Sequence, residues 1–189
     1  MRLLRAIRLD TSDERVFPAA AGEGEWLVTG SPLWAGVDPE TLDPKVRLAF
    51  AQGFLGIASF GFASLAAAGP IDPAELDRLR SLLADRLVER AGAPDRTTAL
   101  AAAVELLEDA LALARDLAPG ALLAIERRVD PVTGELRERI RRLEAPPGVH
   151  ARVFEFVAQP EVPEPGNPDP DGTAGEESAP RIEGEGGKR

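Results

Sequence analysis

The residues best placed to do chemistry are arginines. Arg137, Arg139 and Arg141 recur at every second position within residues 135–143, a spacing that puts three guanidinium groups on one side of a β-strand. Guanidinium groups in a row can grip a carboxylate or a phosphate with paired N–H donors. Arg127, Arg128, Arg142 and Arg152 lie on neighbouring stretches, and Glu126, Glu138 and Glu155 are close enough in sequence to offset part of that charge through cross-strand pairs. On that second reading the arginines are a solvated face and bind nothing. Trp26 and Trp34 flank Thr29-Gly30-Ser31-Pro32. Tryptophan is enriched at binding hot spots and just as readily closes one end of a small core. His150 follows Pro146-Pro147-Gly148 and opens the last predicted strand. A single histidine in a chain without cysteine cannot assemble a typical zinc site, so it reads as structural or exposed.

Composition narrows the chemistry further. The 189 residues carry 22 Lys+Arg against 32 Asp+Glu, a net charge of -10, with no Cys, no Tyr and 1 His. An acidic chain lacks the basic surface on which phosphate-backbone affinity depends, which argues against a nucleic-acid partner. The missing cysteines remove disulfides, iron–sulfur ligation and thiolate nucleophiles. One histidine leaves almost no general-base inventory near neutral pH. An enzyme would have to work with carboxylates and arginine alone, and no spacing singles out a carboxylate pair. The expectation is therefore a protein without catalytic residues, metal or cofactor.

The elements that must position these residues follow from periodicity and turn chemistry. Met1 to Asp10 (MRLLRAIRLD) is interrupted by Arg5 and Arg8, which suits a strand and not a secretory signal, so the expected location is the cytoplasm. Residues 25–30 form a short strand. Residues 41–52 form a helix with Asp43 as N-cap and Pro44 at its first position. A longer helix spans 71–92, with Asp72, Pro73 and Glu75 as its start signal, Leu76, Leu79, Leu83 and Leu87 on one face, and Gly92 as its stop. A second runs over 96–118 with Leu100, Val104, Leu107, Leu111, Ala114 and Ala118 in one stripe. The Gly92-Ala93-Pro94 link makes the two an antiparallel αα-hairpin.

Residues 48–68 (LAFAQGFLGIASFGFASLAAA) approach the length of a membrane span. Gly53, Gly56 and Gly61 lower helix propensity, and Ser59-Phe60-Gly61-Phe62-Ala63 alternates small and large residues. The preferred reading is a helix ending near Gly53 and then one buried strand over 55–65. Residues 121–129, 135–143 and 150–158 make a β-meander with turns at 130–134 and 145–148. The fold class is α+β, a mostly antiparallel sheet with a C-terminal β-meander packed against the αα-hairpin. That domain spans 1–158. Residues 159–189 hold six Pro, six Gly, eight acids and three bases, too few apolar groups to offset the ordering cost, and read as a disordered acidic tail.

Three strings carry a resemblance. The opening, with Ser12-Asp13 and Val16-Phe17, the stretch Gly22-Glu23-Gly24-Glu25-Trp26 followed by Gly30, and Gly53-Phe54-Leu55-Gly56 with Ser59-Phe60-Gly61 resemble a family of short uncharacterised bacterial proteins over residues 1–158. Relatives of that family are associated with accessory genes for molybdenum-dependent formate dehydrogenase. The resemblance implies an accessory or maturation role and assigns no site residues. Two functions stay open: an accessory protein that binds another protein and has no membrane or nucleic-acid partner, and a domain holding a small anion between the meander arginines and Trp26 or Trp34. Self-association stays open as well.

Overall fold

A computed structural model describes residues 1–118 and 121–143. In chain order these form β1 (Arg2–Ile7), α1 (Ser12–Val16), β2 (Trp26–Val28), two 3₁₀ turns (Ser31–Trp34 and Pro39–Thr41), α2 (Pro44–Gln52), β3 (Phe54–Gly56), β4 (Phe62–Ala63), β5 (Leu65–Pro70), α3 (Pro73–Ala91), α4 (Arg96–Arg115), β6 (Leu122–Val129) and β7 (Leu136–Leu143). The strands make one seven-stranded sheet in the order β4-β3-β2-β1-β5-β6-β7, with every named pair antiparallel. The α3–α4 pair packs against it, mainly through α4 on β1. The fold is α+β, as its sequence implies.

Local chemistry sets the helices. The Asp72 carboxylate accepts the Glu75 N–H at 2.8 Å, and Gly92 closes α3 at φ 71°. Glu75 turns its own carboxylate to Arg78 at 2.8 Å instead of back to the cap, so only half of the expected capping box is made. Leu76, Leu79, Leu83 and Leu87 are all buried, each contributing about 1.5–3 kcal/mol of hydrophobic stabilisation. In α4, Asp95 caps Thr98 N–H at 2.8 Å. Its buried face is Ala99, Ala103, Leu106, Leu107, Ala110 and Ala114, while Leu100 is 37% exposed. The expected stripe through Leu100, Val104 and Leu111 is thus rotated. A column of alanines lets the α4 backbone approach the sheet and α3 closely, and that outweighs the larger side chains beside it. The helix also stops at Arg115, short of Ala118.

The apolar run corrects the expected single strand over 55–65. It divides into the end of α2, then β3, β4 and β5. The first break is a reversal at residues 57–61. Glu25 Oε1 collects the Ala58 N–H at 2.9 Å, the Ser59 N–H at 2.7 Å and the Ser59 hydroxyl at 3.0 Å, and Phe60 adopts φ 56°. The second break is Ser64. The Asp13 carboxylate, buried at 5% exposure, accepts the Ser64 N–H at 3.1 Å and its hydroxyl at 2.5 Å. β4 pairs with β3, and β5 pairs with β1 and β6, so one residue joins the outermost strand to the fifth and the sheet doubles back on itself. Among the described residues no helix is long and apolar enough to cross a membrane.

Two apolar clusters result. The larger joins α3 and α4 to β1, β2, β3, β5 and β6, and the smaller gathers Phe17, Trp34, Ala49 and Phe50. β6 and β7 form the hairpin expected at the start of the meander. The third meander strand over 150–158, with His150 and Arg152, and the segment 159–189 lie outside the described residues.

Candidate binding site on the β6–β7 hairpin

The hairpin register places the arginines. Arg137 lies opposite Arg128, Arg139 opposite Glu126 and Arg141 opposite Ala124. All three are exposed on one face, as the two-residue period requires. Arg137 pairs with Asp130 at 2.7 Å. Asp130 also holds the turn, accepting the Val132 N–H at 2.9 Å and the Thr133 N–H at 3.1 Å. The Thr133 and Val132 amides keep its carboxyl below the usual range. Among the described residues no carboxylate lies within 4.0 Å of Arg139 or Arg141. The three do not converge on one pocket. Arg137 and Arg139 border an open depression of about 550 Å³ together with Arg128, Glu126, Asp130 and Glu138. Arg141 lines a separate pocket of about 290 Å³.

Arg127 departs from the sequence reading that grouped it with the exposed arginines. It shares the inward face with Leu123 and Ile125 and is 3% exposed. Its Nη1 donates to the carbonyls of Phe50 at 3.0 Å and Gly53 at 2.9 Å, and its Nη2 donates to the Thr29 carbonyl. Nε donates to Ser31 Oγ at 2.8 Å and Glu138 Oε2 at 2.9 Å. The Ser31 hydroxyl in turn donates to the same carboxylate. One side chain therefore caps the negative end of α2 and ties it to the end of β2 and to β7. Burial lowers its pKa and Glu138 opposes that shift, and the guanidinium keeps its charge at neutral pH. The available signal was parity: position 127 continues the inward series 123 and 125.

The tryptophans take separate places. Trp26, half-buried on β2, lies under the Arg5 guanidinium, whose carbon sits 4.0 Å from the ring centroid. Nearby Glu75 has its carboxyl held below the usual range, chiefly by Arg78. Trp34 is a core residue at 9% exposure, edge-on to Phe50 at 5.7 Å and tilted against Phe62 at 5.9 Å. Its buried Nε1 has no hydrogen-bond partner among the described residues. Trp34 also walls a groove of about 460 Å³ with Val129 and Leu136, which belong to the inward face of the hairpin. Neither tryptophan meets the outward arginines, so the expected anion site between arginine and tryptophan is not assembled.

The strings that carried the resemblance do come together, as architecture. Glu25 organises the turn that begins at Gly56, and a Cβ on Gly56 would stand 2.5 Å from that carboxylate. Gly30, at φ 74°, passes so close to Leu55 that a Cβ would lie 2.8 Å from the leucine Cβ. No curated protein and no solved structure matches the chain. A family of unknown function matches residues 1–155, the whole of the described fold. The chain belongs to that family, DUF6505.

Proposed function

We propose that this chain is a non-catalytic accessory protein that acts by docking on an acidic surface of another protein, and that the partner is a metalloenzyme in maturation. The observation that carries the docking is the outward face of β7, where Arg137, Arg139 and Arg141 stand about 7 Å apart along one strand. Arg139 and Arg141 have no ion-pair partner among the described residues. The maturation role rests on the resemblance to proteins associated with formate dehydrogenase accessory genes. Contacts of this exposed kind speed encounter and choose the partner more than they add affinity, and salt screens them.

Purification of the tagged full chain from its native host tests the proposal. The expected result is a stoichiometric metalloenzyme subunit that is lost at high salt and lost from the Arg137→Ala, Arg139→Ala double variant. Recovery of no partner, or a partner held equally by the variant, overturns it.

A further inference from the structure

We propose that the pocket bearing Arg141 binds a small zwitterion, a ligand with one carboxylate, one ammonium group and a short apolar body, of the α-amino acid class. The pocket, about 290 Å³, is lined by Gln52, Ser64, Leu65, Ala124, Glu126 and Arg141. Its volume is at the lower limit of ligand sites and suits a molecule of amino-acid size.

Charge placement selects the ligand. Glu126 and Arg141 are diagonal neighbours across the β6–β7 ladder, with Glu126 opposite Arg139 and Ala124 opposite Arg141. Both border the same pocket, yet they stand more than 4.0 Å apart, and neither has another ion-pair partner among the described residues. Diagonal neighbours are separated by about 7–8 Å between Cα atoms, which leaves room for a group between the two charged heads. A simple carboxylate drawn to Arg141 would face the negative Glu126. A simple amine drawn to Glu126 would face Arg141. A ligand carrying both charges satisfies both walls at once.

The neutral groups agree. The Ser64 hydroxyl commits its hydrogen to Asp13 at 2.5 Å, so its free lone pair can accept from an ammonium. The Gln52 amide can donate to a carboxylate. Leu65 and Ala124, both half-buried, supply an apolar floor for a side chain.

Titration of the full-length protein with leucine, 4-methylpentanoate and 3-methylbutylamine, followed by amide NMR, tests the site. The three share the same branched apolar side chain: 4-methylpentanoate is leucine without its ammonium group, and 3-methylbutylamine is leucine without its carboxylate. Leucine is expected to shift the Ser64 and Ala124 amides saturably, and each single-charge analogue to bind at least about tenfold more weakly. Glu126→Gln and Arg141→Gln, both at solvent-accessible positions, should keep the dispersed spectrum and each weaken leucine by about tenfold or more. Equal binding of all three ligands, wild-type affinity in either variant, or no response to leucine at millimolar concentration overturns the proposal. The outcome is separable from partner docking, because Glu126→Gln should leave the partner bound and the Arg137→Ala, Arg139→Ala variant should still bind leucine.

Discussion

Arg127 and Glu138 face each other across the hairpin register, and their side chains meet at 2.9 Å between Nε and Oε2 on the inward side of the sheet. The pair separates two kinds of arginine on one hairpin. Arg127 is structural, with its donors spent on Phe50, Gly53, Thr29 and Ser31. The arginines at 137, 139 and 141 are on the outward face.

Removing Arg127 should be severe. Arg127→Ala strands three backbone carbonyls and the Glu138 carboxylate, and a loss of about 3–5 kcal/mol is expected in urea unfolding. Arg139→Ala, measured alongside, should fall within about 0.5 kcal/mol of wild type. Similar losses for the two would contradict the division drawn between them.

The Asp13–Ser64 contact should matter for stability as a buried hydrogen-bonded unit. Asp13→Ala leaves the Ser64 amide and hydroxyl without their acceptor, and about 1–3 kcal/mol should be lost. The double variant Asp13→Ala, Ser64→Ala should lose less than the sum of the single changes. Chemical denaturation of the four species measures the coupling directly.

Trp34 holds its place by packing and not by its indole N–H, which has no partner among the described residues. Trp34→Phe therefore sheds an unsatisfied donor along with some contact area, and should cost less than about 1.5 kcal/mol. Trp34→Ala empties the space beside Phe50 and Phe62 and should cost about 3–5 kcal/mol. Thermal melts of both variants would show the difference.

Acid should destabilise the fold through capping carboxylates. Asp95 is held below its ordinary pKa by the Thr98 amide and hydroxyl, and Asp130 by the Thr133 and Val132 amides. A depressed folded-state pKa means that the unfolded chain binds more protons. The stabilisation is therefore present above the unfolded value of about 3.9 and is lost as pH falls through the folded value. Asp95→Asn should flatten part of that decline between about pH 5 and pH 2 when stability is followed by circular dichroism. A profile identical to wild type would show that the Asp95 cap carries none of it.

Much of the frame could be read from local chemistry. Asp72, Pro73 and Gly92 bound α3, and Asp43 with Pro44 starts α2, because caps act within one turn of the chain. The outward series 137, 139 and 141 followed from strand period alone. What escaped depends on partners distant in sequence. Glu25 reverses the chain 33 residues away at Ala58, and Asp13 breaks it 51 residues away at Ser64, so the alternating apolar run on its own looks like one strand. The α4 face is not legible from side-chain size, because the alanines at 99, 103, 110 and 114 are buried where two backbones come close. The pocket at Arg141 is not legible in the sequence, since Gln52 and Ser64 come to line it with Arg141 only through the fold.

The single-residue junction at Ser64 has a consequence for how the molecule comes apart. A marginal strand normally frays first, because only one neighbour holds it. β4 has β3 on one side and only the short bridge from Phe62 to Ala20 on the other, but it continues through Ser64 into a strand gripped on both sides by β1 and β6. Loosening the rim therefore tugs on the centre, as a drawstring gathers the mouth of a bag. The five strands from β4 to β5 should exchange their amide hydrogens as one cooperative block.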